Sequence, residues 1–191
     1  MLFEQIQLRP ITFFPLEFSC ASADRKLSKE HLLPNTADLC GDESFAEVFL
    51  GWNDGGLLCT VESPSCESVE LFIDTRDMKS AGFATRFCHH FTFTYEGEKN
   101  ESTKFRTEDA HELCPSQDLG LEMDHKGKKR LFQIAIPAHC LHGYEPKQFS
   151  RIGFTYRLKS RDGDLQHLSA VTEEFAIEQS PSLWSTMRLE S

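Results

Sequence analysis

The sequence has no excess of basic residues. Twenty Lys and Arg stand against thirty Asp and Glu, a formal charge of −10. An acidic surface repels phosphate backbones, so nucleic acid is not an expected partner. The one basic run, Lys126 to Arg130, is broken by Gly127 and reads as a solvated turn. No window approaches the ~20 apolar residues of a membrane span. The opening MLFEQIQLRP carries an acid at Glu4 and no basic segment, so it does not read as a signal peptide. No Cys-x-x-Cys pair exists, which removes a structural zinc site of that kind. The seven cysteines (Cys20, Cys40, Cys59, Cys66, Cys88, Cys114, Cys140) are scattered and odd in number. Without a signal peptide they point to free thiols and a reducing, cytoplasmic setting. Gly-x-Ser-x-Gly, a phosphate-binding loop, His-Glu-x-x-His and a dinucleotide fingerprint are all missing, and no catalytic role is expected. No segment holds a 3.6-residue apolar period over three turns, which argues against a helical protein.

What is present is aromatic and alternating. Sixteen Phe outnumber three Tyr and two Trp, and this predicts a thick aromatic core. The length of 191 residues suits one domain over residues 1–191. Its core strands are expected over about 44–190, with residues 1–43 packing on them as an N-terminal strand and loop. Ala46–Trp52 and Leu57–Glu62 read as a hairpin around Asn53-Asp54-Gly55-Gly56. Val69–Thr75 alternates, and Arg86–Tyr95 sets Phe87, His89, Phe91, Phe93 and Tyr95 on one face. Residues 96–118 read as a mobile polar loop, with a short strand near Lys104–Thr107. Leu131–Ile136 is a further strand, and Leu141 plugs the core after a half-turn that follows Pro137. Arg151–Ser160 alternates again before an Arg161-Asp162-Gly163-Asp164 turn. Gln166–Ala170 and Glu174–Glu178 read as short strands, and the tail Ser182–Leu189 as an edge. The fold class expected is all-β: an antiparallel β-sandwich with jelly-roll or immunoglobulin-like layers, about eight to ten strands and long polar loops.

Three stretches carry a resemblance. Val69-Glu-Leu-Phe-Ile-Asp-Thr-Arg-Asp77 resembles the strand and Asp-rich turn of carbohydrate-binding module family 9. Ile134-Ala-Ile-Pro-Ala-His-Cys-Leu141 resembles that family's strand, proline and plug, and Ile152-Gly-Phe-Thr-Tyr156 with Asp162-Gly163 its Gly-Phe strand and turn. Their order and spacing match over roughly residues 44–190, and the DOMON-like group is similar. The resemblance implies a β-sandwich of about ten strands. It also implies a sugar clamped between two Trp rings, as in family members attached to extracellular enzymes.

Trp52 and Trp184 are the two Trp available as a stacking platform, and core packing is the plainer role for each. Asp74, Arg86 and His90, with Arg157, form the preferred polar patch on one sheet, because sugar hydroxyls need both donors and acceptors. The competing reading of Asp74, Arg76 and Asp77 is an Asx-type turn with an ion pair. Cys88 and His90 share a strand face, but two ligands are not a metal site, and His89 reads as a core residue. His139-Cys140-Leu141-His142 reads as a turn whose side chains splay apart. A haem cofactor is not expected: Met78 and Met123 pair with no His along the strands. Calcium on the acidic stretch Asp38 to Glu43 stays open, without a regular calcium-loop spacing. Two functions follow. One is a binding module that holds a carbohydrate or polyol on a sheet face. The other is an intracellular protein-interaction or structural domain that keeps the sandwich without sugar binding.

Overall fold

The computed structural model describes residues 16–36, 44–80, 82–106, 108–168 and 176–190. Among them run eleven strands: β1 (Glu17–Ala21), β2 (Glu47–Asn53), β3 (Gly56–Ser63), β4 (Cys66–Asp74), β5 (Cys88–Thr94), β6 (Lys99–Glu101), β7 (Gly120–Lys126), β8 (Lys129–Pro137), β9 (Arg151–Ser160), β10 (Leu165–His167) and β11 (Ser185–Glu190). The acidic stretch Asp38 to Glu43, Cys40, and the apolar stretches before Leu16 lie outside the described residues.

The strands form two sheets. The large sheet has the order β1-β11-β9-β4-β5-β6, with β10 also paired to β9. The small sheet has the order β2-β3-β8-β7. All pairs are antiparallel except β1 with β11. This is the all-β sandwich that the alternation predicts. Leu57, Cys59 and Val61 of β3 face Val69, Leu71 and Ile73 of β4 across one continuous core, which Phe91, Phe93, Phe132 and Phe154 fill. Each such ring, fully buried, contributes roughly 1.5–3 kcal/mol relative to exposure.

The β2–β3 hairpin shows how local sequence sets register. The Asn53 carboxamide oxygen accepts the Gly55 N–H at 2.7 Å, which closes the turn. Gly56 has φ 136°, and a Cβ there would lie 2.1 Å from the Ile136 carbonyl oxygen. Only glycine lets β8 come this close. The basic run Lys126 to Arg130 is the solvated turn between β7 and β8, with Gly127 at φ 65°.

Several expectations are corrected. The tail is not an edge: β11 is inserted between β1 and β9. Residues 96–118 are not a free loop. They hold β6, a bridge from Phe105 to Ala84, and the buried Glu101. Strand β7 escapes a period-2 reading because it is an edge strand whose residues are never fully buried. The described part of Glu174–Glu178 is a 3-10 turn beginning at Ile177, and its side chains cover the large sheet. Cys20, Cys59, Cys66 and Cys88 are free and buried, and burial pushes the Cys59 thiol up to about 12. Cys114 and Cys140 are instead bonded, with Cα atoms 5.0 Å apart, which overturns the free-thiol expectation for this pair. Tertiary folding brings them together across 26 positions, a spacing with no signature of its own. Leu141 is buried after a 3-10 turn over Ala138–Cys140, as its position after Pro137 predicts.

Candidate functional site

The outer face of the large sheet gathers part of the expected polar patch. Alternation turns Glu70 and Phe72 of β4, His90 of β5 and Arg157 of β9 outward, opposite to the core residues beside them. Register sets Glu70 beside Arg157 and Phe72 beside His90. Arg157 donates through Nε to Glu70 Oε1 at 2.8 Å and through a terminal nitrogen to Oε2 at 2.7 Å. The same guanidinium reaches Glu178 at 2.9 Å, and His90 Nε2 lies 2.7 Å from Glu70 Oε2. The His90 ring stacks on Phe72, with centroids 4.4 Å apart. Burial alone raises the Glu70 carboxyl, but the hydrogen bonds from His90 and Arg157 and the Arg157 charge outweigh it, and Glu70 falls to about 2. Glu70 and Glu178, absent from the sequence expectation, are the acids that complete this network. Only knowledge of the strand pairing reveals them.

The other expected ligands are placed differently. Asp74 is 1% exposed and accepts the N–H groups of Arg76 at 3.0 Å and Met78 at 2.8 Å. It closes the turn after β4 as the Asx-type turn does, with both carboxylate oxygens engaged by backbone N–H groups. Arg86 sits before β5 and pairs with Asp109, away from His90. Trp184 is 3% exposed, packs on Phe72 at 5.9 Å and donates its indole N–H to the Ile177 carbonyl at 2.9 Å. A buried indole needs such an acceptor, and this one leaves Trp184 no open face. Trp52 is half-buried at the end of the core, where its N–H reaches the carbonyls of Cys20 at 3.0 Å and Glu190 at 3.1 Å. It ties the small sheet to the large one. The two Trp therefore form no clamp.

Metal-capable side chains converge elsewhere than at Cys88 and His90. Cys88 and His90 gather no third ligand among the described residues, whereas inward-facing His89 meets Glu101 and His111. Burial holds His89 below the usual imidazole range, while Glu101, raised by burial but bonded to His111 and His89, falls to about 2. Asp118, His139 and Cys140 also converge, but the Cys140 sulfur is already bonded to Cys114.

On the outer face of the small sheet, Ala23, Leu27 and His31 pack against Gly51 of β2. A groove of about 380 Å³ crosses β3, β8 and β7. Its floor is aliphatic, with Leu58, Leu131 and Ala135. Gly120 lies opposite Ala135, where a Cβ would come within 2.9 Å of the alanine methyl, so two small residues deepen the floor. Thr60, Gln133, Glu122 and Glu62 line it, with Arg25 and Lys26 at the rim. Glu62 accepts from Lys126 at 3.2 Å. The side chains of Thr60, Gln133, Glu122, Arg25 and Lys26 have no hydrogen bond or ion pair among the described residues. Among the described residues no aromatic ring lines the groove. Thr60, Glu62 and Gln133 alternate with the core residues of their strands, and their assembly depends on the β3–β8 register.

No protein-family model matches the sequence, and no curated protein does. Solved structures do match. A family 9 carbohydrate-binding module from Caldicellulosiruptor kristjanssonii in complex with cellotriose aligns with a TM-score of 0.65 and 14% identity, over 91% of this chain and 93% of that one. The glucose complex of a family 9 module from the same organism aligns at 0.62 and 13% identity, over 91% and 95%. A Bacteroides uniformis protein proposed to bind carbohydrate aligns at 0.55 and 10% identity, over 91% and 99%. The chain thus has the β-sandwich fold of the family 9 carbohydrate-binding modules, as its three ordered motifs imply.

Proposed function

We propose that the protein is a non-catalytic binding module that holds a carbohydrate or related polyol in the groove across β3, β8 and β7. The groove's composition carries this reading. Unengaged donors and acceptors stand over an aliphatic floor, and a neutral polyol needs both kinds of partner together with an apolar surface for its C–H faces. The fold shared with modules solved with cellotriose and glucose supports the ligand class. No described residue offers a stacking ring there, so hydrogen bonds and the aliphatic floor carry the contact.

A titration of isotope-labelled protein with glucose, cello-oligosaccharides and other neutral sugars tests it. Amide shifts confined to β3, β7 and β8, abolished by Gln133→Ala together with Glu122→Ala, are the expected result. No shift with any sugar, or shifts on the outer face of the large sheet, overturns it. A second reading, a protein-interaction domain, draws support from the burial of Trp184 and the ring-free groove. Silence toward every sugar, with a protein partner captured through the small sheet, selects that reading.

A further inference from the structure

We propose that His89, Glu101 and His111 form a binding site for one divalent transition-metal ion, with zinc the ion that best suits their chemistry. Adjacent strands supply the first two ligands. Glu101 of β6 is in register with Phe91 of β5, and His89 stands two residues along on the same inward face. The segment after β6 returns His111 to them. One donor atom from each residue lies within 4.8 Å of the others, and His89 Nδ1 and His111 Nε2 are each 2.8 Å from Glu101 Oε1. Two imidazoles and a carboxylate are a donor set that zinc accepts, with a further position left open.

The surroundings hold these groups as a built site does. Glu101 Oε2 accepts the Cys114 N–H at 2.7 Å, and Oε1 accepts the Thr103 hydroxyl at 2.8 Å. His111 Nδ1 donates to the Arg86 carbonyl at 2.7 Å, which fixes the ring with Nε2 toward Glu101. Metal-ligating histidines are commonly oriented in this way by a carbonyl on the far nitrogen. The side chains of His89 and Glu101 are fully buried, so their polar atoms have no water to fall back on.

The His89 ring is not satisfied by its protein neighbours. Its Nε2 is buried and has no hydrogen-bond partner among the described residues, while Nδ1 faces Glu101. Entry is from a cleft of about 350 Å³ lined by His111, Cys114, Cys140 and His142.

The experiment uses the full chain, freed of any affinity tag and stripped with chelator. It is loaded with zinc, desalted and assayed for metal content, while cobalt(II) absorption reports on the ligand set. One equivalent of zinc per chain is expected, with a zinc-dependent rise in melting temperature. His111→Ala, whose side chain lines the cleft, is expected to stay folded by circular dichroism and lose at least about tenfold in affinity. Glu101→Gln is the second variant should the first unfold, and the same loss is expected. A folded wild type that retains no zinc overturns the proposal. So does a folded variant that binds zinc as tightly as the wild type.

Discussion

Arg157 closes on Glu70 through two parallel bonds of 2.8 and 2.7 Å, and His90 occupies the same carboxylate from the neighbouring strand. The carboxylate is thereby saturated. A sugar hydroxyl would have to break a bidentate pair to reach it, so the geometry suits this cluster to joining β4, β5 and β9.

The depressed Glu70 carboxyl gives stability a direction in pH. Its folded value of about 2 lies below the ordinary 4.5, so the native state holds the proton less tightly than the unfolded chain. That contribution is fully present above about pH 4.5 and disappears as the pH falls toward 2, with a ceiling on the order of 3 kcal/mol. Glu101 loses its contribution over the same window, so the wild type alone does not separate the two. Urea unfolding of wild type and Glu70→Gln between pH 6 and about pH 2.5 does. The variant should be less stable at pH 6 and show the shallower slope. Parallel slopes would show that Arg157 and His90 do not stabilise the ionised form.

Trp52 is expected to matter to stability and not to sugar binding. Trp52→Phe removes the N–H shared between the Cys20 and Glu190 carbonyls and should cost about 1–2 kcal/mol. Denaturant unfolding measures that cost, and the sugar titration of the variant should match that of the wild type. Lost sugar response at unchanged stability would make Trp52 a stacking platform after all and would remove the groove as the site.

The Cys114–Cys140 bond should be recoverable from protein folded without reductant, as one linked pair in a non-reducing peptide map. It closes a loop across 26 positions, and its removal by Cys114→Ser with Cys140→Ser should cost about 3 kcal/mol, or a comparable drop on reduction. The buried Cys59 and Cys66 should resist alkylation in the folded state, since burial pushes both thiols up to about 12. A map that links any other pair would contradict the fold around Glu101.

How much of the fold was legible depends on the range of the interaction concerned. The β2–β3 hairpin was readable because Asn53, Gly55 and Gly56 encode their own turn, and β5 and β9 because alternate residues must face opposite ways. Edge strand β7 was not, since a strand that buries little shows little periodicity. The structure brings only part of the expected patch together, for a related reason. Alternation put His90 and Arg157 on one outer face but is silent about which strands are neighbours, so it could neither add Glu70 and Glu178 nor remove Arg86.

The sequence by itself determined two layers of strands, their inward residues, the turns between most of them and the acidic surface. These follow from local rules of chirality, alternation and turn geometry that operate within a few residues. Tertiary structure decided which groups meet. It buried Trp184 against Phe72, joined Cys114 to Cys140, formed the groove over β3, β8 and β7, and drew His89, Glu101 and His111 together. Each of those outcomes depends on strand order and register between distant segments. Register is settled by the packing of the whole core, not by any one stretch of the chain.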